Sequence, residues 1–194
     1  MSPTIDLVHD IQRCYRCMVK ALSFPGRLQE LYRERELVAD LSTLDPSLTL
    51  LALTLLDSET SFALMGDAPL DHSQAHNSPS PEHSTPVSYG GSGELSQLTY
   101  ARQAPPDEAA YLFVHGPEAA LARAIALARP GTLLTPQEGA TIVAVVDRIE
   151  PAAGRPLTEV AAAVRGREVL RLTGPGIEHE SFLRIEIRGP KSTA

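Results

Sequence analysis

Apolar residues recur at three- and four-residue steps near the start of the chain. Val8, Ile11, Tyr15, Met18, Val19 and Leu22 form one stripe, and that period predicts an amphipathic helix. Thr4 is placed to cap this helix and Asp6 puts an acid in its first turn, where oxygen acceptors and negative charge satisfy the open N–H groups. Phe24-Pro25-Gly26 should end it. Proline turns the residue before it out of the helical region, and glycine accepts a positive φ. Leu28–Leu31 is a short apolar stretch with no clear period. Asp45-Pro46 then pairs a cap with a proline at the first helical position. Leu48, Leu51 and Leu55 follow in a second helix, apolar on most sides and therefore expected to be buried.

Strand patterns come next. Ser61–Met65, Ala110–Val114, Val169–Leu172 and Phe182–Ile187 read as strands, the last alternating Leu183, Ile185 and Ile187 with Arg184 and Glu186. Ala140–Val146 is a continuous apolar run, which predicts a central strand buried on both faces. Pro117–Ala128 is an alanine-rich helix pattern with Leu121, Ala124, Ile125 and Ala128 expected on its inner face, stopped by Pro130-Gly131. Helices alternating with strands predict a layered α/β fold. Between Asp71 and Glu94 stand six Ser, three Pro, three Gly and three His, with Val87 and Tyr89 as the large apolar residues. Such a stretch buries little and is expected to be a long mobile loop.

Composition narrows the classes. The chain has 194 residues, 43% of them hydrophobic, enough for one domain, 1–194, with a core of its own. The formal net charge of −7 argues against binding nucleic acid or an anionic membrane through bulk charge. The longest apolar stretch, Leu48–Leu56, contains two Thr and falls short of the roughly 20 residues of a membrane span. With Asp6 and Asp10 where a signal peptide would be basic and apolar, a cytoplasmic protein is expected.

Few residues spell chemistry. Cys14 and Cys17 have the C-x-x-C spacing but lie inside a helix pattern, so they read as small helix-stripe hydrophobes rather than a redox pair or half a zinc site. His72, His76 and His83 fall in the Ser/Pro-rich stretch and read as solvated loop. Gly90-Gly91-Ser92-Gly93 and Thr173-Gly174-Pro175-Gly176 match neither the Walker nor the dinucleotide pattern, and the second reads as a tight turn between strands. Arg165, Arg167 and Arg171 would share one face if extended, a candidate row for phosphate oxygens, weighed against a plain charged solvent face. Lysine is scarce: Lys20 and Lys191 stand beside 15 Arg. A pyridoxal Schiff base needs a lysine in a pocket, and neither position predicts one, so no cofactor is expected; with no second C-x-x-C to complete a four-ligand zinc site, no metal is expected.

Four stretches together resemble the PhnH family, one of the proteins of the carbon–phosphorus lyase system for phosphonate breakdown. Tyr15-Arg16 and Met18-Val19-Lys20-Ala21-Leu22-Ser23, running into Phe24-Pro25-Gly26, are similar to the family's aromatic-Arg helix and "KAMS-x-PG". Leu51–Leu56 with Asp57 resembles its "LLTLAD" helix. Gly131-Thr132, Pro136 and Glu138-Gly139-Ala140-Thr141 resemble its "GT…P-x-x-GAT". Leu170-Arg171-Leu172-Thr173-Gly174-Pro175-Gly176-Ile177 resembles its "LRLTGPGI". The family continues beyond that strand with a "PLG-x-D" strand and a "P-R-T-T" terminus, whereas this sequence closes on Gly189-Pro190-Lys191-Ser192-Thr193-Ala194.

The resemblance implies a three-layer α/β fold, a mixed β-sheet flanked by helices, similar to the pyridoxal-phosphate-dependent transferases but without the cofactor. It implies a homodimer that joins the G, I and J subunits of the lyase system and assists formation of ribose 1-phosphonate 5-triphosphate from ATP and an alkylphosphonate. It carries over no catalytic residues. Pro25, Gly26, Gly139, Gly174 and Gly176 are its structural motif positions. Two other functions fit the residues: a stand-alone transferase holding a phosphorylated substrate on Arg165, Arg167 and Arg171, and a non-catalytic scaffold.

Overall fold

A computed structural model of the chain describes residues 6–66, 91–152, 167–174, 177 and 179–187. Its elements, in chain order, are α1 (His9–Ser23), α2 (Tyr32–Leu37), α3 (Pro46–Leu55), β1 (Ser61–Gly66), α4 (Ser92–Thr99), β2 (Arg102–Gln103), β3 (Tyr111–His115), α5 (Glu118–Leu127), β4 (Thr141–Val145), β5 (Arg148–Pro151), β6 (Arg167–Leu172) and β7 (Ser181–Glu186), with a 3-10 turn at Pro136–Glu138. They fall into two compact units, one of Met1–Leu55 with Val145–Ala194, the other of Leu56–Ala144.

In the first unit, Ile11, Cys14 and Met18 of α1 pack with Val38 and Leu50. The predicted apolar stripe divides at this contact. Val8, Tyr15, Val19 and Leu22 are 43–77% exposed, although the sequence pattern groups them with the buried residues. At 100° per residue the stripe together with Cys14 spans a sector of about 140°, wider than one neighbouring helix covers. The N-terminal cap also differs from expectation. Asp6 accepts hydrogen bonds from the backbone N–H of Val8 (2.9 Å) and His9 (3.0 Å) through Oδ1, which is the work expected of Thr4; Thr4 itself lies outside the described residues. Helix α3 starts as expected, with the Ser47 N–H donating to Asp45 Oδ1 at 2.8 Å, and it buries Leu48, Thr49, Leu50 and Ala52. Helix α2, of sequence Tyr-Arg-Glu-Arg-Glu-Leu, has no counterpart among the predicted elements, because six mostly charged residues carry no apolar period.

The same unit holds an antiparallel sheet in the order β5-β7-β6. Leu183, Ile185 and Ile187 are buried, as the alternation of this segment requires. Gly26, just past α1, has φ +89°, and a β-carbon there would stand 2.5 Å from Ser181 Oγ at the start of β7.

In the second unit β1 pairs parallel with β2 and with β3, in a sheet ordered β2-β1-β3-β4. Register places Met65 beside Val114 and Leu64 beside Phe113. One face, with Met65, Leu112 and Val114, is covered by Ala120 and Ala124 of α5. The small alanines admit the helix close to the sheet, and Leu121 and Ala128 complete the contact. Ile125, expected on this inner face, is 62% exposed. Phe62 and Phe113 meet edge-on at 6.5 Å, both fully buried, a favoured aromatic geometry.

Two expectations about the sheets change. Strand β4 is an edge of its sheet among the described residues, and its residues are half-buried or exposed. An apolar run fixes the preference for burial, not the rank in the sheet, and β1 and β3 take the centre. The α/β class stands, but the single mixed sheet becomes two sheets, one parallel and one antiparallel. Of the expected loop over Asp71–Glu94, residues Ser92–Glu94 are the first turn of α4; residues 71–90 lie outside the described residues.

Candidate functional site

The N-terminal turn of α1 and the short α2 enclose a cavity of about 390 Å³ lined by Asp6, His9, Asp10, Arg13, Arg33, Glu36 and Leu37. Helix spacing explains the set. His9 and Arg13 are four apart, as are Arg33 and Leu37, and Asp10 and Arg13 are three apart, as are Arg33 and Glu36. Residues at these steps share a face.

The Asp6 carboxylate organises the entrance. Its Oδ2 lies 2.9 Å from His9 Nδ1, and the Asp6 N–H donates to Asp10 Oδ2 at 2.8 Å. The His9 backbone N–H, the His9 ring and the Val8 N–H lower the Asp6 pKa from 3.8 to about 2, since each stabilises the charged form. Deeper in the helix pair, the Glu34 side chain is only 4% exposed, and its Oε1 faces Arg13 Nη1 at 3.4 Å. That oxygen has no hydrogen-bond partner, so Arg13 is its compensating charge. The lining thus alternates carboxylates with guanidinium groups, which suits a ligand or segment bearing both signs of charge. Its lining holds no Ser, Thr, Cys, Lys or Tyr, and among the described residues no group of three His, Cys, Asp or Glu is arranged to hold a metal ion.

The sequence-derived candidates that the structure describes are not among the residues lining this cavity. Arg171 lies on β6 and gives its Nε to Glu180 Oε2 at 2.9 Å, so its guanidinium already has an anion. Arg167 opens β6 opposite Glu186 in register, and Arg165 lies outside the described residues. Gly139 follows the 3-10 turn. Gly174 sits at φ +140° and its carbonyl accepts from the Ile177 N–H at 3.2 Å; Gly176 lies outside the described residues. Pro25 leads into Gly26 at the end of α1. Cys14 and Cys17 are free thiols. Cys14 is fully buried, and desolvation raises its pKa, which makes it an unreactive core residue. Lys20 is exposed on α1, and Lys191 and the three histidines of the Ser/Pro-rich stretch lie outside the described residues. The cavity residues themselves are not among the candidates the sequence offers. Their signal is charge at three- and four-residue steps, which on an unrecognised α2 looks like any solvated surface.

No described helix is long and apolar enough to cross a membrane. No curated protein matches the chain. The family model for the bacterial phosphonate metabolism protein matches residues 4–191, which takes in the charged helix pair, both sheets and all four sequence motifs, and the chain therefore belongs to the PhnH family of bacterial phosphonate metabolism.

Proposed function

We propose that this chain is the PhnH component of a carbon–phosphorus lyase core complex. In this reading it is a cytoplasmic homodimer that joins the G, I and J subunits. It assists the formation of ribose 1-phosphonate 5-triphosphate from ATP and an alkylphosphonate, with no cofactor of its own and within a three-layer arrangement similar to the pyridoxal-phosphate-dependent transferases. The family match over residues 4–191 carries the reading. The outer stripe of α1 supports it as well: Val8, Tyr15, Val19 and Leu22 leave one helix face apolar and exposed, the kind of surface that subunits cover. A stand-alone transferase working through the arginine row gains no such support, because Arg171 is held by Glu180.

The test is reconstitution. The G, I and J subunits from the same organism, with the L subunit for the reaction, are purified with and without this chain and given ATP and methylphosphonate. Phosphorus NMR should detect the ribose phosphonate triphosphate and adenine release only when the chain is present, and the chain should elute with the other subunits. Equal product without it would overturn the reading.

A further inference from the structure

The cavity beside α1 and α2 is lined by two kinds of charged group, those already engaged and those still open. Asp6 is engaged, with Oδ1 on the Val8 and His9 N–H groups and Oδ2 on the His9 ring. The N-terminus of α1 is therefore satisfied by the chain's own carboxylate. Arg13 is engaged too, by Glu34. The Arg33 and Glu36 side chains, three apart on α2, make no hydrogen bond or ion pair with another described residue, yet both line the cavity.

Asp10 is the third open group. It is 8% exposed, and its Oδ2 accepts from the Asp6 N–H at 2.8 Å, while Oδ1 accepts from no described residue. Among the described residues, Glu34 Oε1 is the side-chain atom that is sealed from solvent without a hydrogen bond. Asp10 Oδ1 is not sealed in this way, and its opening is the cavity that Asp10 lines. An acid withdrawn from water needs donors on its oxygens. Here one oxygen has its donor from the chain, and the other is reached from the cavity.

Charge then selects the ligand. Asp10 and Glu36 call for a positively charged donor, and an ammonium brings three N–H groups. The open guanidinium of Arg33 takes an oxyanion through two parallel bonds. A plain anion would meet three carboxylates in this lining, and a plain cation two guanidinium groups; like charges side by side oppose binding. A metal ion fits no better, because among the described residues no three of His, Cys, Asp and Glu are arranged for one. The lining is polar apart from Leu37, and its volume of about 390 Å³ falls in the range of small-molecule pockets, about 300–1,000 Å³.

We propose that this cavity binds a small zwitterion, its ammonium on Asp10 and Glu36 and its oxyanion on Arg33. The inference goes beyond the place in the complex proposed above and does not depend on it, since the site is built from α1 and α2 of one chain.

The test titrates the full isotope-labelled chain by NMR. Two probes, 2-aminoethylphosphonate and β-alanine, are zwitterions that differ in their oxyanion. Two others, ethylamine and ethylphosphonate, carry charge of one sign each. At least one zwitterion should bind about tenfold or more tightly than either single-sign probe, because it alone satisfies both sets of open groups. The shifted amides should cluster in α1 and α2, and the tighter zwitterion identifies the oxyanion. Arg33→Gln should reduce zwitterion affinity to that of ethylamine and leave ethylamine unchanged. Asp10→Asn should reduce it to that of ethylphosphonate; Glu36→Gln, at an exposed position, tests the same arm should Asp10→Asn fail to fold. Zwitterions that bind within about threefold of the single-sign probes, or that bind the Arg33→Gln and Glu36→Gln chains as they bind the unsubstituted one, would overturn the inference. So would a loss shared equally by all four probes, which would mean that the helices rather than the charges had changed. Reconstitution of the complex can succeed where this titration fails, and the reverse, so the two readings fall separately.

Discussion

Gly26 and Ser181 approach so closely that a β-carbon on the glycine would stand 2.5 Å from the serine Oγ and 3.2 Å from its Cβ. The turn that ends α1 is thereby pressed against the first residue of β7, and the glycine φ of +89° admits no ordinary L side chain without strain. Gly26→Ala should lower unfolding free energy by about 1–3 kcal/mol, measured by urea denaturation. Ser181→Gly in the same chain removes both close atoms and leaves the backbone strain, so it should recover part of the loss. A Gly26→Ala chain as stable as the parent would mean that the turn relaxes freely.

Asp6 makes the acid stability of α1 depend on one exposed carboxylate. The unfolded chain binds its proton near pH 3.8, while the folded chain resists until about pH 2, first because of the His9 N–H and then the His9 ring and Val8 N–H. A depressed folded pKa gives stability that is complete above the unfolded value and is lost as pH falls through the folded one. Asp6→Asn keeps a capping oxygen and removes the charge. The urea midpoint of the parent should exceed that of the variant above pH 4, and the gap should close towards pH 2. A gap that is constant from pH 5 to pH 2 would show that the cap, not the charge, sets the difference.

How much of the fold the sequence discloses depends on what each pattern determines. Asp45-Pro46 and the alternation Leu183, Ile185, Ile187 predict what the structure holds, because a cap with N1 proline and a period of two are both local signals. Local signals do not say what covers a face. Tyr15 and Leu22 belong to the same stripe as Ile11 and Met18, and Ile125 to the same stripe as Ala124, yet each of the three is exposed. In the same way Ala140–Val146 reveals an apolar strand but not its edge position among the described strands, since strand order is set by pairing between distant segments. The charged cavity is illegible for a different reason. It needs α2, and Tyr32–Leu37 has no apolar period from which a helix could be inferred.

Glu34 and Arg13 form an unequal pair, the acid 4% exposed and the base 57%. Removing Arg13 would leave a buried carboxylate oxygen with no countercharge. Breaking a fully buried pair costs about 3–5 kcal/mol, but solvent reaches Arg13 and screens this one, so Arg13→Ala should cost about 1–2 kcal/mol. Adding Glu34→Gln should restore most of that loss, because the neutral amide no longer requires the charge. Urea denaturation of the two single variants and the double variant measures the coupling, and purely additive losses would show that the pair does not interact.

Tyr100 ends α4 in the left-handed region, at φ +61° and ψ +8°, with its N–H bonded to the Ser96 carbonyl at 2.9 Å. It is the one non-glycine residue with positive φ among those described, and its ring is not held in a core, since the residue is 80% exposed. A β-carbon in this conformation costs roughly 1–2 kcal/mol, while glycine at a helix C-terminus is relaxed there. Tyr100→Gly should therefore raise stability, by less than the full strain because glycine also gives the unfolded chain more freedom. The expected gain is about 0.5–1 kcal/mol, read as a higher urea midpoint with an unchanged slope. Tyr100→Ala keeps the β-carbon and should gain nothing. If alanine stabilises as much as glycine, exposure of the ring rather than backbone strain is the cost at this position. If both destabilise, the tyrosine ring contributes packing that outweighs its strained backbone.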